Sequence, residues 1–594
     1  MKAKPGARQD DASQHLLSRQ QENVRVFRSF LLWLLALLVF LTAWLQLRPD
    51  SARQKQMWRQ QTRTVYVPAK RGLLTDRHGT ALNYTLPSYA LIIRPEQLRD
   101  PRDTRSRTLE KLGTAIADLA TALGPEFYAS RPSLQTMEKH LRQRTAMALP
   151  LWSDLDDQTI AVWNLQRHNF PGTELQLSWK RLYAFPDVAT QWRGGTRLET
   201  PTALAEFHFW NANFREPVGI DGLERSFNSR LRGEGGYEVL QTDVLSYRHQ
   251  VLEAHKAQNG EDILLTMDLP RQQFAQKLLA ERELTGALIV LDSQTGEVLV
   301  MASSPSGNLR QRNAGGPGSQ YDRCLGGYYP PGSTLKPLLA AFALQKGIVT
   351  PEETIDCHGA FEVAEGKFLA CNNKYGHGPV NLSQALACSC NVYFCEVGRR
   401  LGALGFEEFS ETGMLGRNLG TELWRQEIAG CAFSPSWVYR HRKQNKQWLP
   451  FDNANASIGQ GAWIITPMQM AVMFNEIVTG KLFRPKLVCG NDDNLLDELD
   501  CPPEGLAAIR EGLRLCTEGP NGTGRALRIP GVTVLGKTGT AEVGKKQRPH
   551  AWCVAAVPAD APKYTGVCII EHGGGGGKVA APLLQAVLRE FVRK

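Results

Sequence analysis

The chain has 594 residues, too many for one ordinary domain, so two or three folded units are expected. With 42% hydrophobic and 22% charged residues the composition is globular, which excludes wholesale disorder. The net charge of +10 suits a membrane surface or an acidic polymer, but the basic residues are scattered and no nucleic-acid motif accompanies them, so nucleic acid is not an expected partner.

Residues 1–28 are polar and are expected to form an unstructured cytoplasmic tail. The run Phe30–Leu47 then carries no charge and only two clearly polar side chains, Thr42 and Gln46. As a helix it would reach about 27 Å, close to the hydrocarbon thickness of a bilayer, so a single transmembrane helix is expected at 29–47. Lys2, Lys4, Arg8, Arg19, Arg25 and Arg28 precede it, which puts the amino terminus in the cytoplasm. A cleaved signal peptide would have a shorter apolar core ending at a small-x-small site, and Ala43-Trp44-Leu45 is not one. The chain beyond residue 48 is therefore expected outside the cytoplasmic membrane.

A basic, Gln-rich connector begins at 48, and Val65-Tyr66-Val67-Pro68 reads as a strand entering a new domain. Arg71–Thr80 is an apolar segment closed by a turn, 105–170 alternates helical patterning with polar loops, and 171–216 is Trp-rich, irregular and without an assignable role. A second glycine-punctuated segment, Gly219–Phe227, precedes Leu231–Gly236. From about 262 the pattern changes. Ile263–Met267 reads as a strand, Pro270–Arg282 as an amphipathic helix, and Gly286–Leu291 with Glu297–Ala302 as a hairpin turning at Asp292–Gly296. Near the carboxy end, Val532–Lys537, Ala551–Val557 and Thr565–Glu571 read as strands and Ala581–Val592 as a closing helix. Strands at both ends with helices between them predict an α+β domain, an antiparallel sheet flanked by helices. The expected division is 48–258 for the first extracytoplasmic domain and 259–594 for the second.

Three short motifs follow one another in the second domain. The first is Ser333-Thr334-Leu335-Lys336, preceded by Tyr329-Pro330-Pro331-Gly332. Serine is a poor nucleophile without a neighbouring base, and in a helix starting at Ser333 the side chain three residues on shares its face. Lys336 can act as that base if burial and nearby cations lower its pKa. The second is Ser389-Cys390-Asn391, where the hydroxyl could relay a proton and Asn391 orient the lysine. The third is Lys537-Thr538-Gly539-Thr540, expected on an edge strand, with a cation and two hydroxyls for a substrate carboxylate. The amides of Ser333 and Thr540 would form an oxyanion hole. A Ser-x-x-Lys alone arises by chance about two or three times in a chain this long, so the weight rests on the ordered set.

In this order the three motifs are the signature of penicillin-binding proteins and serine β-lactamases. The chain resembles a class B, monofunctional penicillin-binding protein over nearly everything from residue 65, and Arg71–Thr80 and Gly219–Phe227 are similar to the family's pedestal motifs. Within class B, Tyr329–Ser333, Tyr375–Gly378, Asn391–Phe394, Ser457–Gly461 with Thr466-Pro467, and Ile570–Gly574 with Ala580–Pro582 resemble the penicillin-binding protein 2 group, which serves elongation. The division paralogue shares fewer of these stretches. Ser389-Cys390-Asn391 stands where the group often has Ser-x-Asp, and Lys-Thr-Gly where many members have Lys-Ser-Gly. The resemblance implies an elongated pedestal, a transpeptidase domain that cross-links peptidoglycan stem peptides, inhibition by penicillins, and placement in a bacterial inner membrane with the bulk in the periplasm. It also implies a SEDS-type, RodA-like glycosyltransferase partner, since no glutamate-bearing glycosyltransferase motif is present.

All twelve cysteines lie at or beyond Cys324. Cys357, Cys371, His377 and Cys390 fall between the first two motifs and form a donor set suited to a closed zinc site, structural and not needed for catalysis. Members of the resembled group are thought to hold zinc through Asp, Asp, His and Cys, and counting from the nucleophile those places fall on these four residues. Disulfides or plain burial are the alternatives, with His377 then a surface loop residue and Asp356 or His358 possible substitute ligands. Cys388 and Cys395 are unassigned, and Cys489 with Cys501 could form a surface disulfide. His550 and His572 read as loop residues, Arg399-Arg400 as a solvated helix face, and Gly573–Gly577 lacks the context of a phosphate loop. The rival functions are a β-lactamase or D-Ala carboxypeptidase, for which no extra water-positioning carboxylate motif is evident, and a β-lactam sensor, for which 28 cytoplasmic residues leave no output domain.

Overall fold

The computed structural model describes residues 9–47, 61–100, 102–143, 148–199, 215–242, 248–311, 316–490, 493–544 and 547–593. Most of the expected connector and residues 200–214 of the Trp-rich stretch lie outside the described residues. Two compact units emerge, Met1–Val65 with Tyr237–His255, and Tyr66–Gly236 with Lys256–Lys594.

The first unit contains one long helix, Gln9–Leu47. The tail expected to be unstructured is thus helical from Gln9 onward, because its Gln, Glu, Arg and Leu residues are good helix formers that extend the apolar stretch backwards. Glu22–Gln46 is long and apolar enough to cross a bilayer, and none of its apolar window is buried in protein. The same unit holds most of a three-stranded sheet of Thr62–Val67, Gly236–Thr242 and Arg248–His255.

The second unit opens with a three-stranded antiparallel sheet, β1 (Asn83–Ile93) flanked by β2 (Leu149–Trp152) and β3 (Thr173–Tyr183). Leu91, Ile93, Leu112, Ile116 and Trp163 fill the core beside it. The stretch read as irregular therefore contains an 11-residue strand, β3. Leu175, Leu177 and Trp179 alternate with Gln176, Ser178 and Lys180, a strand pattern overlooked because it forms no apolar run, and most of the strand's residues are only half-buried. Beneath the sheet the two pedestal-like segments meet. Arg71 and Arg181 both donate to the Glu224 carboxylate, at 2.7 Å each, and Asn83 Nδ2 adds a bond at 2.9 Å. Both guanidinium groups and the carboxylate are buried.

The larger sheet has five antiparallel strands in the order β5-β4-β10-β9-β8: β4 (Gly286–Asp292), β5 (Val298–Ser304), β8 (Leu535–Ala541), β9 (His550–Val557) and β10 (Tyr564–Ile570). Between β5 and β8 in sequence lies a hairpin of β6 (Ala360–Ala364) and β7 (Lys367–Ala370). Helices α1 (Leu269–Ala280) and α6 (Ala580–Val592) cover one face of the sheet, meeting Leu288 and Val290. Helices α2 (Lys336–Gln345), α3 (Asn391–Phe409), α4 (Pro467–Thr479) and α5 (Pro503–Glu518) contribute to the core on the other face, with Ile289 and Leu291. The chain thus forms the α+β arrangement expected from sequence.

Two boundaries differ. The strand expected at Ile263–Met267 is only Ile263–Leu264, paired parallel with Leu74–Thr75. The strand expected to begin at Val532 begins at Leu535, because Val532 closes a turn onto Ile529 O at 3.1 Å. The strand consequently runs through Thr540.

The edge strand β5 is capped by side chains. Gln272 accepts from Met301 N–H (2.7 Å) and donates to Met301 O (2.9 Å), which also receives the Trp192 indole (2.8 Å). The Gln191 amide next to it donates to Pro305 O and Ser319 O.

Candidate active site

The nucleophile candidate sits on a turn held by backbone on two sides. Tyr329 exchanges two hydrogen bonds with Ile465, and Gly332 N–H donates to Gly459 O at 2.9 Å. Gly332 has φ +55°, and a Cβ there would lie 2.9 Å from Thr540 O, so only glycine lets the turn approach edge strand β8 this closely. Trp552 donates its indole N–H to Pro330 O (3.0 Å), while the Tyr329 hydroxyl donates to Glu571 (2.7 Å), which also pairs with Arg323 (2.8 Å). His550, read as a loop residue, is buried at the start of β9 with its ring 5.3 Å from that of Tyr329.

Gly332–Leu335 is a single 3-10 turn, and α2 begins at Lys336 rather than at Ser333. Lys336 is fully buried, and its ammonium donates to Asn391 Oδ1 (2.8 Å), Ser389 O (2.9 Å) and, more weakly, Ser389 Oγ (3.5 Å). Lys537, equally buried, donates to Ser389 Oγ (2.8 Å) and to its neighbour's carbonyl, Thr538 O (2.9 Å). One hydroxyl therefore lies between two buried amines. Ser389 has φ +58°, a strained value for a residue with a side chain, and the short turn before α3 holds it there. Neither lysine has a carboxylate partner among the described residues. Burial, and next the charge of Lys537, pull the Lys336 ammonium down to about 7. Burial also lowers Lys537.

Ser333, Ser389, Asn391, Thr538, Gly539 and Thr540 line one cleft of about 1270 Å³. Lys336 and Lys537 stand behind its wall and reach it through Ser389 and Asn391. Among the described residues no hydrogen bond joins Ser333 Oγ to Lys336. Sequence reasoning missed Thr523, whose hydroxyl accepts from Thr538 Oγ1 at 2.8 Å, and the cationic Arg525 and Lys578 on the rim. Only the Gly-Thr-Gly turn around Thr523 hinted at the first, and nothing marked the cations.

Beside this wall, Cys357, Cys371, His377 and Cys390 converge, with all four donor atoms within 4.8 Å of one another. His377 Nδ1 lies 3.5 and 3.6 Å from the sulfurs of Cys357 and Cys371, and the Cys371 and Cys390 sulfurs are 3.9 Å apart. A tetrahedral zinc with ordinary bond lengths requires edges of about 3.5 Å (S to N) and 3.8 Å (S to S), so the donor set fits that ion. A disulfide would need about 2.05 Å, and all twelve cysteines are free, including Cys489 and Cys501. The Asn391 amide donates to Cys371 Sγ (3.3 Å) and the Tyr393 amide to Cys390 Sγ (3.5 Å), as N–H groups at a helix start favour thiolates. The proton shared between the two thiols lowers Cys371 and raises Cys390. Asp356 and His358 are exposed and outside the cluster.

Comparison with known proteins agrees with this geometry. The family model described as the penicillin binding protein transpeptidase domain matches residues 286–589, and the penicillin-binding protein dimerisation domain matches 66–265. The chain belongs to the penicillin-binding protein transpeptidase family. Among curated family members, it is 27% identical to peptidoglycan D,D-transpeptidase MrdA of Haemophilus influenzae, over 89% of this chain and 85% of that protein. It is 23% identical to peptidoglycan D,D-transpeptidase FtsI of Escherichia coli, over 94% and 89% of the two chains. A solved structure of penicillin-binding protein 2 in complex with MreC, from Helicobacter pylori, shares the fold with a TM-score of 0.75 at 24% identity, covering 89% of this chain and 98% of that one.

Proposed function

We propose that this chain is a serine peptidoglycan D,D-transpeptidase of the elongation type, with Ser333 as nucleophile. The observation that carries the reading is the pair of buried lysines converging on Ser389 behind the cleft that Ser333 lines. Lys336, lowered to about 7, is uncharged in about half of the molecules at neutral pH, and that form takes the Ser333 proton as Oγ attacks the penultimate D-Ala carbonyl carbon. The amides of Ser333 and Thr540 hold the developing oxyanion. The C–N bond to the terminal D-Ala breaks, and its amine takes a proton relayed through Ser389. Thr538 and Thr540 hold the terminal carboxylate, with Lys537, Arg525 and Lys578 supplying positive potential. The amine of a second stem peptide then attacks the acyl-enzyme and forms the cross-link. Water in place of that amine would give carboxypeptidase activity from the same intermediate.

Fluorescent penicillin tests the nucleophile: wild-type protein labels covalently and Ser333→Ala does not, while labelling that persists in Ser333→Ala overturns the assignment. Slow release of the label separates a transpeptidase from a β-lactamase. Greater identity to MrdA than to FtsI favours elongation, and depletion in the native bacterium should round the cells, whereas filaments would indicate division.

The four-donor cluster supports a structural zinc held by Cys357, Cys371, His377 and Cys390. When bound, it supplies no reacting group and only fixes Cys390, thereby tethering Ser389 and Asn391. Elemental analysis of purified protein should find about one zinc per chain, lost in Cys371→Ala. The apolar helix and the basic residues before it support a single-pass anchor with a cytoplasmic amino terminus and a periplasmic bulk. A SEDS-type, RodA-like glycosyltransferase is the proposed polymerising partner. The complex named for the Helicobacter structure suggests an MreC-like protein as a second partner.

A further inference from the structure

A second cavity, of about 610 Å³, lies at the other end of the nucleophile's helix. Leu338, Ala341, Phe342 and Gln345 of α2 form one wall, and Met414, Leu419 and Leu482 add apolar surface. Its charge is lopsided, with Glu411, Glu476, Asp497, Glu498 and Asp500 against the one guanidinium of Arg417. Acidic surface alone would mean little. Glu476 of α4 is different: the residue is 5% exposed, it lines the cavity, and its Oε2 is buried without a hydrogen-bond partner. No cation of the described residues lies within ion-pair distance of it, whereas Asp500 is engaged by Gln345 at 2.9 Å. Burial, and next the charge of Asp497, push the Glu476 carboxyl up to about 7. A buried acceptor without a donor is costly to fold around, and a ligand that supplies the donor relieves that cost.

We propose that this cavity binds a small organic cation, an amine with an apolar body, its ammonium on Glu476 and its body against Leu338 and Phe342. A divalent metal fits less well. The donor cluster found among the described residues is the cysteine–histidine one, and none forms around Glu476. The volume falls in the range of small-molecule pockets, and the lining is mixed, with apolar residues for the body of a ligand and polar residues in about equal number. The inference does not depend on the catalytic reading, since none of the residues named is in the Ser333 cleft.

The test is a ligand-observed NMR titration of the full chain in detergent with benzylamine, using benzyl alcohol as the uncharged analogue. Benzylamine should bind the wild type about tenfold more tightly than the alcohol, as a charge-assisted bond to a buried carboxylate requires. Glu476→Gln should abolish that preference, and Asp497→Asn should reduce it. Equal binding of amine and alcohol to the wild type overturns the proposal, as does a preference that survives Glu476→Gln. Glu476→Gln keeps the side chain's shape and should melt no lower than the wild type. If it fails to fold, Asp497→Asn, on an exposed strand, decides the matter, because an unchanged preference there overturns the proposal.

Discussion

Two ammonium groups buried within reach of one hydroxyl cannot both stay charged cheaply, and Ser389 is where that conflict is resolved. Because Lys336 is lowered to about 7, the fraction able to accept a proton rises as pH passes through that value. Acylation by a fluorescent penicillin should therefore be slow at about pH 5, climb through about 7 and level off above it, as a stopped time course at each pH would show. Lys537→Met removes the second cause of the shift but leaves burial, the first, in place. Its acylation midpoint should move upward yet stay below the ordinary lysine value of 10.5, and an unmoved midpoint would mean the two amines do not interact. Folding lowers the pKa of Lys336, so the stability penalty of burying it is fully present below about 7 and fades as pH rises towards 10.5. The serines, lysines and asparagine of the site were legible as motifs, because each motif is a few adjacent residues. That Lys537 would be wholly buried on Ser389 was not, since burial depends on segments far apart in the chain.

At the scale of elements, the nucleophile is carried by a turn that precedes a helix, and the turn works by backbone contact. Gly332→Ala would place a methyl at φ +55° and 2.9 Å from Thr540 O. It should cost about 1–2 kcal/mol in stability and slow acylation, measured by thermal melting and penicillin labelling on the same preparation. Strands with both faces buried, such as β4, and the closing helix were readable from apolar runs and helical patterning. Strand β3 was missed although Leu175, Leu177 and Trp179 alternate with Gln176, Ser178 and Lys180, because the alternation lies within a Trp-rich stretch and forms no apolar run. The metal-type cluster shows the same division. Four donors could be picked out by residue type, but their spacing at tetrahedral edges is set by β-strand Ile355–Cys357, the end of β7 and the start of α3 together.

Across the whole second unit, a further buried electrostatic feature lies outside the cleft. Glu224 shares its one negative charge between Arg71 and Arg181, residues separated by more than a hundred positions and carried on different segments. Glu224→Gln keeps the shape but leaves two buried guanidinium groups with no countercharge, which should cost about 3–5 kcal/mol and lower the melting temperature sharply. A small change in melting would show that water enters to solvate them. The motifs Arg71–Thr80 and Gly219–Phe227 were visible as glycine-punctuated segments, but that they close on one carboxylate required the fold.

The large sheet ends differently on its two sides. At β5 the main-chain groups of Met301 are already taken by Gln272 and Trp192, so that margin is sealed from within. At β8 the margin opens onto the cleft, with Thr538, Gly539 and Thr540 facing it. On the β8 side Lys537 takes Thr538 O, so part of that margin is occupied and the rest faces the cleft. That side is the one Ser333 borders, so an extended peptide pairing with the remaining main-chain groups would lie alongside the nucleophile.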